Sequence, residues 1–505
     1  MTNSNISVPG IEKLPTQIPG FDLIAQGGLS RGRATLVTGT AGSGKTMFAT
    51  QFLAQGIASG EGAVFVTFEE SPRDICQNVV SMGWNVEAWE RADRWAFVDA
   101  SPQPYEESMV IGSFDLGALM ARIEHAVRRV GATRLSIDSL NAVFTRFPDR
   151  ASVRHELLRL VSGIRELGVT AILTAERSSD TGSADQYAVE EFVADNVIIL
   201  RNTLEDEKRR RTIEILKFRG TGHQKGEFPF TVLPNEGIVV IPLSAIELTQ
   251  KSSNVRITSG NGDLDGLCGG GFFRDSVILV SGATGTGKTL MCAEFIGGGT
   301  AVGERCLLLG YEESREQLFR NAIGWGRDFA QMEHDGLLRV SCVYPEAMQL
   351  EDHLLQIKHD IEQFKPARVA VDSLSALERV STPRSFREFV IDLTSFIKER
   401  EIAGLFTATT PSLLGGQSVT ESHISTITDS IILLRYVELY GEMRRGITVL
   451  KMRGSSHDKQ IREFLIDNGG MHIGNPFRNV TGILAGNPRQ APPGELDRVE
   501  QLFDT

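Results

Sequence analysis

Ser281-Gly-Ala-Thr-Gly-Thr-Gly-Lys288-Thr289 follows the β-branched run Ser276-Val-Ile-Leu-Val280 and opens the apolar stretch Leu290-Met-Cys-Ala-Glu-Phe-Ile296. Strand, glycine loop and helix in that order give the G-x-x-x-x-G-K-[ST] phosphate-binding loop the setting it requires. The pattern predicts that backbone N–H groups along Thr284, Gly285, Thr286 and Gly287 turn inward on a triphosphate at a helix N-terminus. Lys288 then reaches the outer phosphates, and Thr289 offers its hydroxyl to Mg²⁺.

The motif also occurs earlier, as Gly39-Thr-Ala-Gly42-Ser43-Gly44-Lys45-Thr46 after Ala34-Thr-Leu-Val-Thr38. The two lysines, at 45 and 288, lie 243 positions apart, and at that offset Glu69-Glu70-Ser71 meets Glu312-Glu313-Ser314. After one length change the offset becomes 234. There Ser136-Ile-Asp138-Ser139-Leu140 meets Ala370-Val-Asp372-Ser373-Leu374, and Lys217-Phe218-Arg219-Gly220 meets Lys451-Met452-Arg453-Gly454. Such self-similarity marks a tandem duplication.

The 505 residues give each half enough chain for a core of its own. Expected boundaries are 1–247 for the first nucleotide domain, 248–486 for the second and 487–505 for a flexible, Pro-rich, acidic tail. Hydrophobic content of 41% and charged content of 23% are ordinary for a globular chain, and a formal charge of −12 argues against a surface built to hold nucleic acid. The five cysteines form no C-x-x-C pair, so neither zinc nor a disulfide framework is indicated, and they read as reduced and buried. With no leader pattern at the N-terminus and no apolar run of about 18 residues, no membrane is implied and the cytoplasm is the default location.

Strand signals alternate with helical ones. Ala63 to Phe68 reads as a strand, Pro72 to Met82 and Leu116 to Val130 as helices, Arg134 to Asp138 as a strand, Val153 to Leu167 as a helix and Thr170 to Thr174 as a strand. The fold class expected is α/β, two tandem domains, each a mostly parallel sheet with helices on both faces. Short strands at Val197–Leu200 and Thr212–Lys217 read as a hairpin whose charged run, Leu204 to Arg211, is a solvated tip.

Asp138 and Asp372 end apolar strands, where phosphate-loop enzymes hold Mg²⁺ or its water shell. Glu69-Glu70 and Glu312-Glu313 end another strand; one carboxylate of each pair is suited to polarise an attacking water or hydroxyl, the other to support metal or orientation. Lys217/Arg219 and Lys451/Arg453 each project to one face of a late strand. They read either as surface pairs or as groups reaching a neighbouring subunit's triphosphate in a ring.

These duplicated domains, the Glu-Glu-Ser segments, Lys-x-Arg-Gly followed by His223 and His457, and above all Val419-Thr-Glu-Ser-His-Ile-Ser-Thr-Ile-Thr-Asp429 make the chain resemble the KaiC family of bacterial circadian-clock ATPases and autokinases. The resemblance spans nearly the whole chain. It implies RecA-like domains, a double-ring homohexamer with ATP between subunits, slow hydrolysis in the N-terminal ring, and autokinase with autophosphatase activity in the C-terminal ring. It also implies KaiB-type and KaiA-type partners. Carried over, ATP contacts fall on the two loops, on Trp325, on Lys217, Phe218, Arg219, Thr221 and His223, and on Arg445, Lys451, Met452, Arg453, Ser455, His457 and Lys459. Catalytic roles fall on the Glu-Glu pairs, and metal contacts on Thr46, Asp138, Thr289, Glu312 and Asp372. Ser456 replaces a family tryptophan, Leu413-Leu-Gly-Gly416 replaces a more polar approach, and the tail is short, which leaves dependence on a KaiA-type partner open.

A RecA-fold recombinase or helicase, and an ATP-switched scaffold without kinase activity, remain as other readings of the same loops. Two further expectations come from the repeat. Extra chain in the first half, around Gln103 to Ser113, is the expected docking segment for a KaiB-type partner. At offset 234, Glu191 stands opposite Ser425, Phe192 opposite Thr426 and Gln186 opposite Thr420. The hydroxyls present only in the second half make Ser425 and Thr426 the expected phosphoacceptors, with Thr420 a third candidate and Glu312 the base that activates them.

Overall fold

In a computed structural model the described residues are 11–101, 116–144, 149–177, 193–205, 208–242, 252–410, 424–478, 480–484 and 489–490. The chain divides into two compact units, Met1–Ala245 and Ile246–Thr505.

In the first unit, β1 (Ala34–Gly39), β2 (Gly62–Thr67), β3 (Trp95–Asp99), β4 (Ala132–Asp138), β5 (Thr170–Glu176) and β6 (Asn196–Glu205) run parallel, and β7 (Lys208–Phe218), β8 (Glu227–Leu233) and β9 (Gly237–Val240) extend the sheet antiparallel. The spatial order is β9-β8-β7-β6-β1-β5-β4-β2-β3. Crossovers include α1 (Lys45–Ala58), α2 (Pro72–Val79), α3 (Leu116–Val130) and α4 (Arg150–Leu167). The central strand β1 is buried at all six residues, because helices cover both faces of a parallel sheet. One core holds Phe48, Phe52 and Trp95, and a second holds Leu119, Ile123 and Leu160.

The second unit repeats this strand for strand. Its strands are β10 (Val277–Gly282), β11 (Cys306–Gly310), β12 (Leu338–Cys342), β13 (Arg368–Asp372), β14 (Ala403–Thr409), β15 (Ser430–Leu439), β16 (Glu442–Met452), β17 (Arg462–Asp467) and β18 (Gly470–Pro476), in the order β18-β17-β16-β15-β10-β14-β13-β11-β12. Its helices include α5 (Lys288–Thr300), α6 (Arg315–Gly324), α7 (Leu350–Phe364) and α8 (Pro383–Glu399). Helix α5 is nearly wholly buried and passes so close to its neighbours that a Cβ on Gly298 would lie 2.6 Å from the Gly260 Cα.

A buried arginine ties helix to sheet in both units. Arg134 donates to Glu61 (2.7 Å) and to the Phe52 carbonyl (2.9 Å), and Arg368 to Glu304 (2.7 Å) and the Phe295 carbonyl (3.0 Å). Each guanidinium is 1% exposed, a position tolerable only because it is paired.

The α/β duplication matches the sequence expectation, with one local difference. The charged run from Leu204 to Arg211 is not mainly a tip, since the β6–β7 ladder continues to Glu205↔Lys208. Arg201 pairs with Glu214 (2.5 Å), and Arg209 donates to the Asn202 carbonyl (2.9 Å); cross-strand partners for these charges keep them in strand. Arg489–Gln490, within the expected tail, pair with Val480–Thr481. The rest of that tail, the Gln103–Ser113 segment, Leu413–Gly416 and Thr420 lie outside the described residues. Among the described cysteines, Cys76, Cys268, Cys292 and Cys306 are buried, Cys342 is partly buried, and none is bridged.

Candidate functional site

Each phosphate loop sits at the carboxyl end of its central strand and opens α1 or α5. Gly42 and Gly44 (φ +73° and +96°) and Gly285 and Gly287 (φ +79° and +106°) hold left-handed backbone that turns the loop. A Cβ on Gly287 would meet Ile466 at 2.9 Å. Lys45 Nζ lies 2.9 Å from the carbonyls of Gly39 and Thr40, and Lys288 Nζ lies 3.0 Å from those of Gly282 and Ala283. Burial lowers the Lys288 pKa from its ordinary range, against the pull of Asp372 and Glu312. Among the described residues, Ser43 Oγ in the first loop, Arg445 Nε and, at the far end of the second sheet, His457 Nδ1 are buried polar atoms without a hydrogen-bond partner, which suits polar ligand groups.

The threonine after each lysine meets the strand-terminal aspartate. Thr289 donates to Asp372 Oδ2 (2.6 Å), Thr407 donates to Oδ1 (2.5 Å), and in the first unit Thr46 and Thr174 bond Asp138 in the same way. Burial raises both aspartate pKa values above the usual carboxylate range. No group of three His, Cys, Asp or Glu side chains able to hold a metal occurs among the described residues. Mg²⁺ is normally held by one or two carboxylates together with substrate phosphates, and the Thr289–Asp372 and Thr46–Asp138 pairs offer donors of that kind.

The paired glutamates are divided by their neighbours. Glu69 accepts from Ser139 (2.6 Å) and Glu312 from Ser373 (3.0 Å), whereas Glu70 accepts from Asn78 (3.1 Å) and Glu313 from Asn321 (2.9 Å). Burial, then the charge of Asp138 or Asp372, raises the Glu70 and Glu313 pKa values. Among the described residues Glu312 has one partner more, Arg379 Nη2 at 3.3 Å.

Sequence reasoning did not single out the residues that hold these carboxylates. Ser139 and Ser373 stood inside the repeated Asp-Ser-Leu segments, and Asn78 and Asn321 stand 243 positions apart. That spacing was the available signal.

The expected ATP contacts divide between opposite ends of the sheet. Arg445 lies at the loop end: its guanidinium is 5.8 Å from the Tyr436 ring, and a Cβ on Gly285 would be 2.8 Å from Tyr436 Oη. Trp325 closes α6 and packs partly buried against the core behind α5. Lys451 and Met452 lie at the far end, since Met452 pairs with Ser430 while Gly282 of the loop strand pairs with Leu434. Four residues of strand separate those levels, about 13 Å. Lys451 Nζ donates to the Thr428 carbonyl and Arg453 Nη2 to the Thr426 carbonyl, each at 2.7 Å.

Ser455 follows at the far end too, accepting from Arg256 (2.5 Å), in the segment that carries His457 and Lys459. The first unit agrees. Lys217 Nζ donates to the Ala194 carbonyl (2.9 Å), and the Phe218 ring meets His223 edge-on at 5.7 Å, with Arg219 and Thr221 on the turn between them. Thr426 is exposed in the turn Ile424–Thr426, beside Arg453.

A family model for the KaiC ATPase matches residues 14–245 and again 257–477. The chain belongs to the KaiC family. Among curated relatives, the circadian clock protein KaiC3 of a Synechocystis strain is 67% identical over 98% of both chains. The circadian clock oscillator proteins KaiC of Thermostichus vulcanus and Synechococcus elongatus are 56% and 52% identical, over 97% and 99% of this chain and 95% and 96% of theirs. As a KaiC-family protein this chain is an ATP-binding ATPase with autokinase activity. The recombinase, helicase and inert-scaffold readings find no support in these likenesses. No helix among the described residues is long and apolar enough to cross a membrane.

Proposed function

We propose that this KaiC-family chain works in the cytoplasm as a ring of six copies, with Mg·ATP clamped between the phosphate loop of one copy and the Lys-x-Arg pair of the next. One observation carries this reading: Lys451 and Arg453, like Lys217 and Arg219, lie at the end of the sheet opposite their own loop. No side chain spans the roughly 13 Å between those levels while a backbone carbonyl holds its tip. Stacking the far end of one copy against the loop end of another brings the two halves of a site together.

The turn that carries the proposed acceptors Ser425 and Thr426, of which Thr426 is exposed, then faces the same neighbouring triphosphate. In the second unit, the Thr289 hydroxyl and Asp372, with Glu312, would hold Mg²⁺, which neutralises phosphate charge. Glu312, fixed by Ser373 and Arg379, takes the proton of the acceptor hydroxyl. The hydroxyl oxygen forms the new bond to the γ-phosphorus as the bridging oxygen leaves with ADP. The N-terminal unit, with Glu69 held by Ser139 and Glu70 supporting orientation, directs water to the same attack and hydrolyses ATP slowly. Reversal at the C-terminal unit supplies the autophosphatase activity.

A KaiB-type partner docks on Gln103 to Ser113 of the first unit, and deletion of that segment abolishes its binding while ATP hydrolysis continues. Assembly tests the ring. Light scattering should report six copies once Mg·ATP is saturating, since a ligand that completes its site only across copies stabilises the assembly; a chain that stays monomeric would sink the reading.

A further inference from the structure

At the amino end of β10 and β15, several elements meet on one carboxylate. Asp429 accepts the backbone N–H of Val277 (2.9 Å) and the ammonium of Lys398 at the end of α8 (2.8 Å), and Arg453 stands 3.6 Å away. The first unit repeats the arrangement. Asp195 pairs with Arg165 at the end of α4 (2.7 Å), and Arg219 is 3.9 Å off. Aspartate, helix cation and strand arginine therefore recur together, although the helix cation changes from Arg to Lys.

Exposure separates the parts. The aspartate side chains are 18% and 6% exposed, while Arg453 and Arg219 are 53% and 52% exposed. A half-exposed arginine has rotamer entropy to lose when a ligand fixes it. A fixed carboxylate nearby narrows that search beforehand. Separations of 3.6 and 3.9 Å are too long for hydrogen bonds yet close enough for Coulomb attraction, and the hydrogen bond that holds Arg453 is the one it donates to the Thr426 carbonyl (2.7 Å), so the carboxylate steers the guanidinium without itself binding it. Beside Arg453 lies a cavity of about 360 Å³, lined by Lys398, Asp429 and Ser252 to Asn254, so that side offers open space.

We infer that Asp429 and Asp195 are positioning residues, which aim the arginine of each Lys-x-Arg pair at the triphosphate of the neighbouring copy. This rests on the reading that those pairs act between copies. The carboxylate does not touch the nucleotide and acts only through the arginine. Its pair with the helix cation limits its own hold on the arginine, which must be able to swing toward phosphate.

A double-mutant cycle on the full-length chain tests this, with phosphate incorporation as the readout and the thermal midpoint as the check on folding. Asp429→Asn keeps an acceptor for the Val277 N–H and removes the charge. It should slow incorporation about tenfold, within the roughly 100-fold cost of a 1 Å misplacement, and Asp429→Glu should restore part of the rate. On an Arg453→Ala background, Asp429→Asn should cost nothing more. Losses that multiply would make Asp429 a structural residue and overturn the inference. A wild-type rate for Arg453→Ala alone would instead overturn the between-copies reading on which it rests. Should Asp429→Asn fail to fold, the same cycle on Asp195→Asn and Arg219→Ala, read by ATP hydrolysis, decides by the same criteria.

Discussion

The two units share their strand order, their buried helix-anchoring arginine and the hydroxyls that hold each strand-terminal aspartate, yet they differ around the attacking group. Glu69 in the first unit takes a hydrogen bond from Ser139. Glu312 in the second takes one from Ser373 and another from Arg379, whose position at offset 234 is Thr145 in the first unit. The proposed acceptors Ser425 and Thr426 likewise stand opposite Glu191 and Phe192. On the proposed reading, what binds and orients a nucleotide has been kept in both copies, and what chooses the attacking oxygen has diverged. A carboxylate that serves water needs only to be near the γ-phosphate, whereas one that serves a side-chain hydroxyl must also be aimed, and a second partner aims it.

The sharpest way to break this comparison is to remove each base in turn. Glu312→Gln should lower phosphate incorporation by about 10² to 10⁴ and leave hydrolysis by the first unit in place, while Glu69→Gln should do the converse. Equal loss of both activities in both variants would mean that the units do not divide the chemistry. A smaller effect is expected from Arg379→Ala, which removes the aiming contact without touching the base. Incorporation should fall two- to tenfold, in line with modest misplacement, with hydrolysis by the first unit unchanged; an unchanged incorporation rate would make the 3.3 Å contact incidental.

The aspartates sharpen the comparison from the side of what is shared. Burial raises the Asp372 pKa, so its ionised form is less favoured in the folded chain than in the unfolded one. The penalty is absent below the unfolded value of about 3.9 and develops as pH rises from there through the raised folded value. At neutral pH, Asp372→Asn should therefore raise the melting point of the nucleotide-free chain by about 2–4 °C per kcal/mol recovered, and abolish the extra stabilisation by Mg·ATP. Asp138→Asn should do the same in the first unit. A lower melting point in the absence of nucleotide would show that the hydrogen bonds from Thr289 and Thr407 outweigh burial.

Much of this was legible in the chain itself. The phosphate loops carry a local pattern dense enough to be read without tertiary information, and repetition at offsets 243 and 234 located the Glu-Glu and strand-terminal Asp positions. The charged run after Leu204 reads as a tip from composition because its pairing, Glu205 with Lys208 and the Asn202 carbonyl for Arg209, is set by strand register. Lys451 and Arg453 were ambiguous for a related reason. Which end of the sheet they occupy depends on the pairing of Met452 with Ser430, a contact invisible to periodicity. Arg379 carried no repeat signal at all, since its counterpart is a threonine.

The central claim is that the C-terminal site is completed between copies. A chain carrying Lys288→Ala, unable to hold the triphosphate but with Ser425 and Thr426 intact, is mixed with a chain carrying Ser425→Ala and Thr426→Ala and an intact loop, then given labelled ATP after subunit exchange. Neither variant alone should incorporate label. The mixture should, with the label on Ser425 or Thr426 of the Lys288→Ala chain; a mixture as silent as its components, after verified exchange, would contradict transfer between copies.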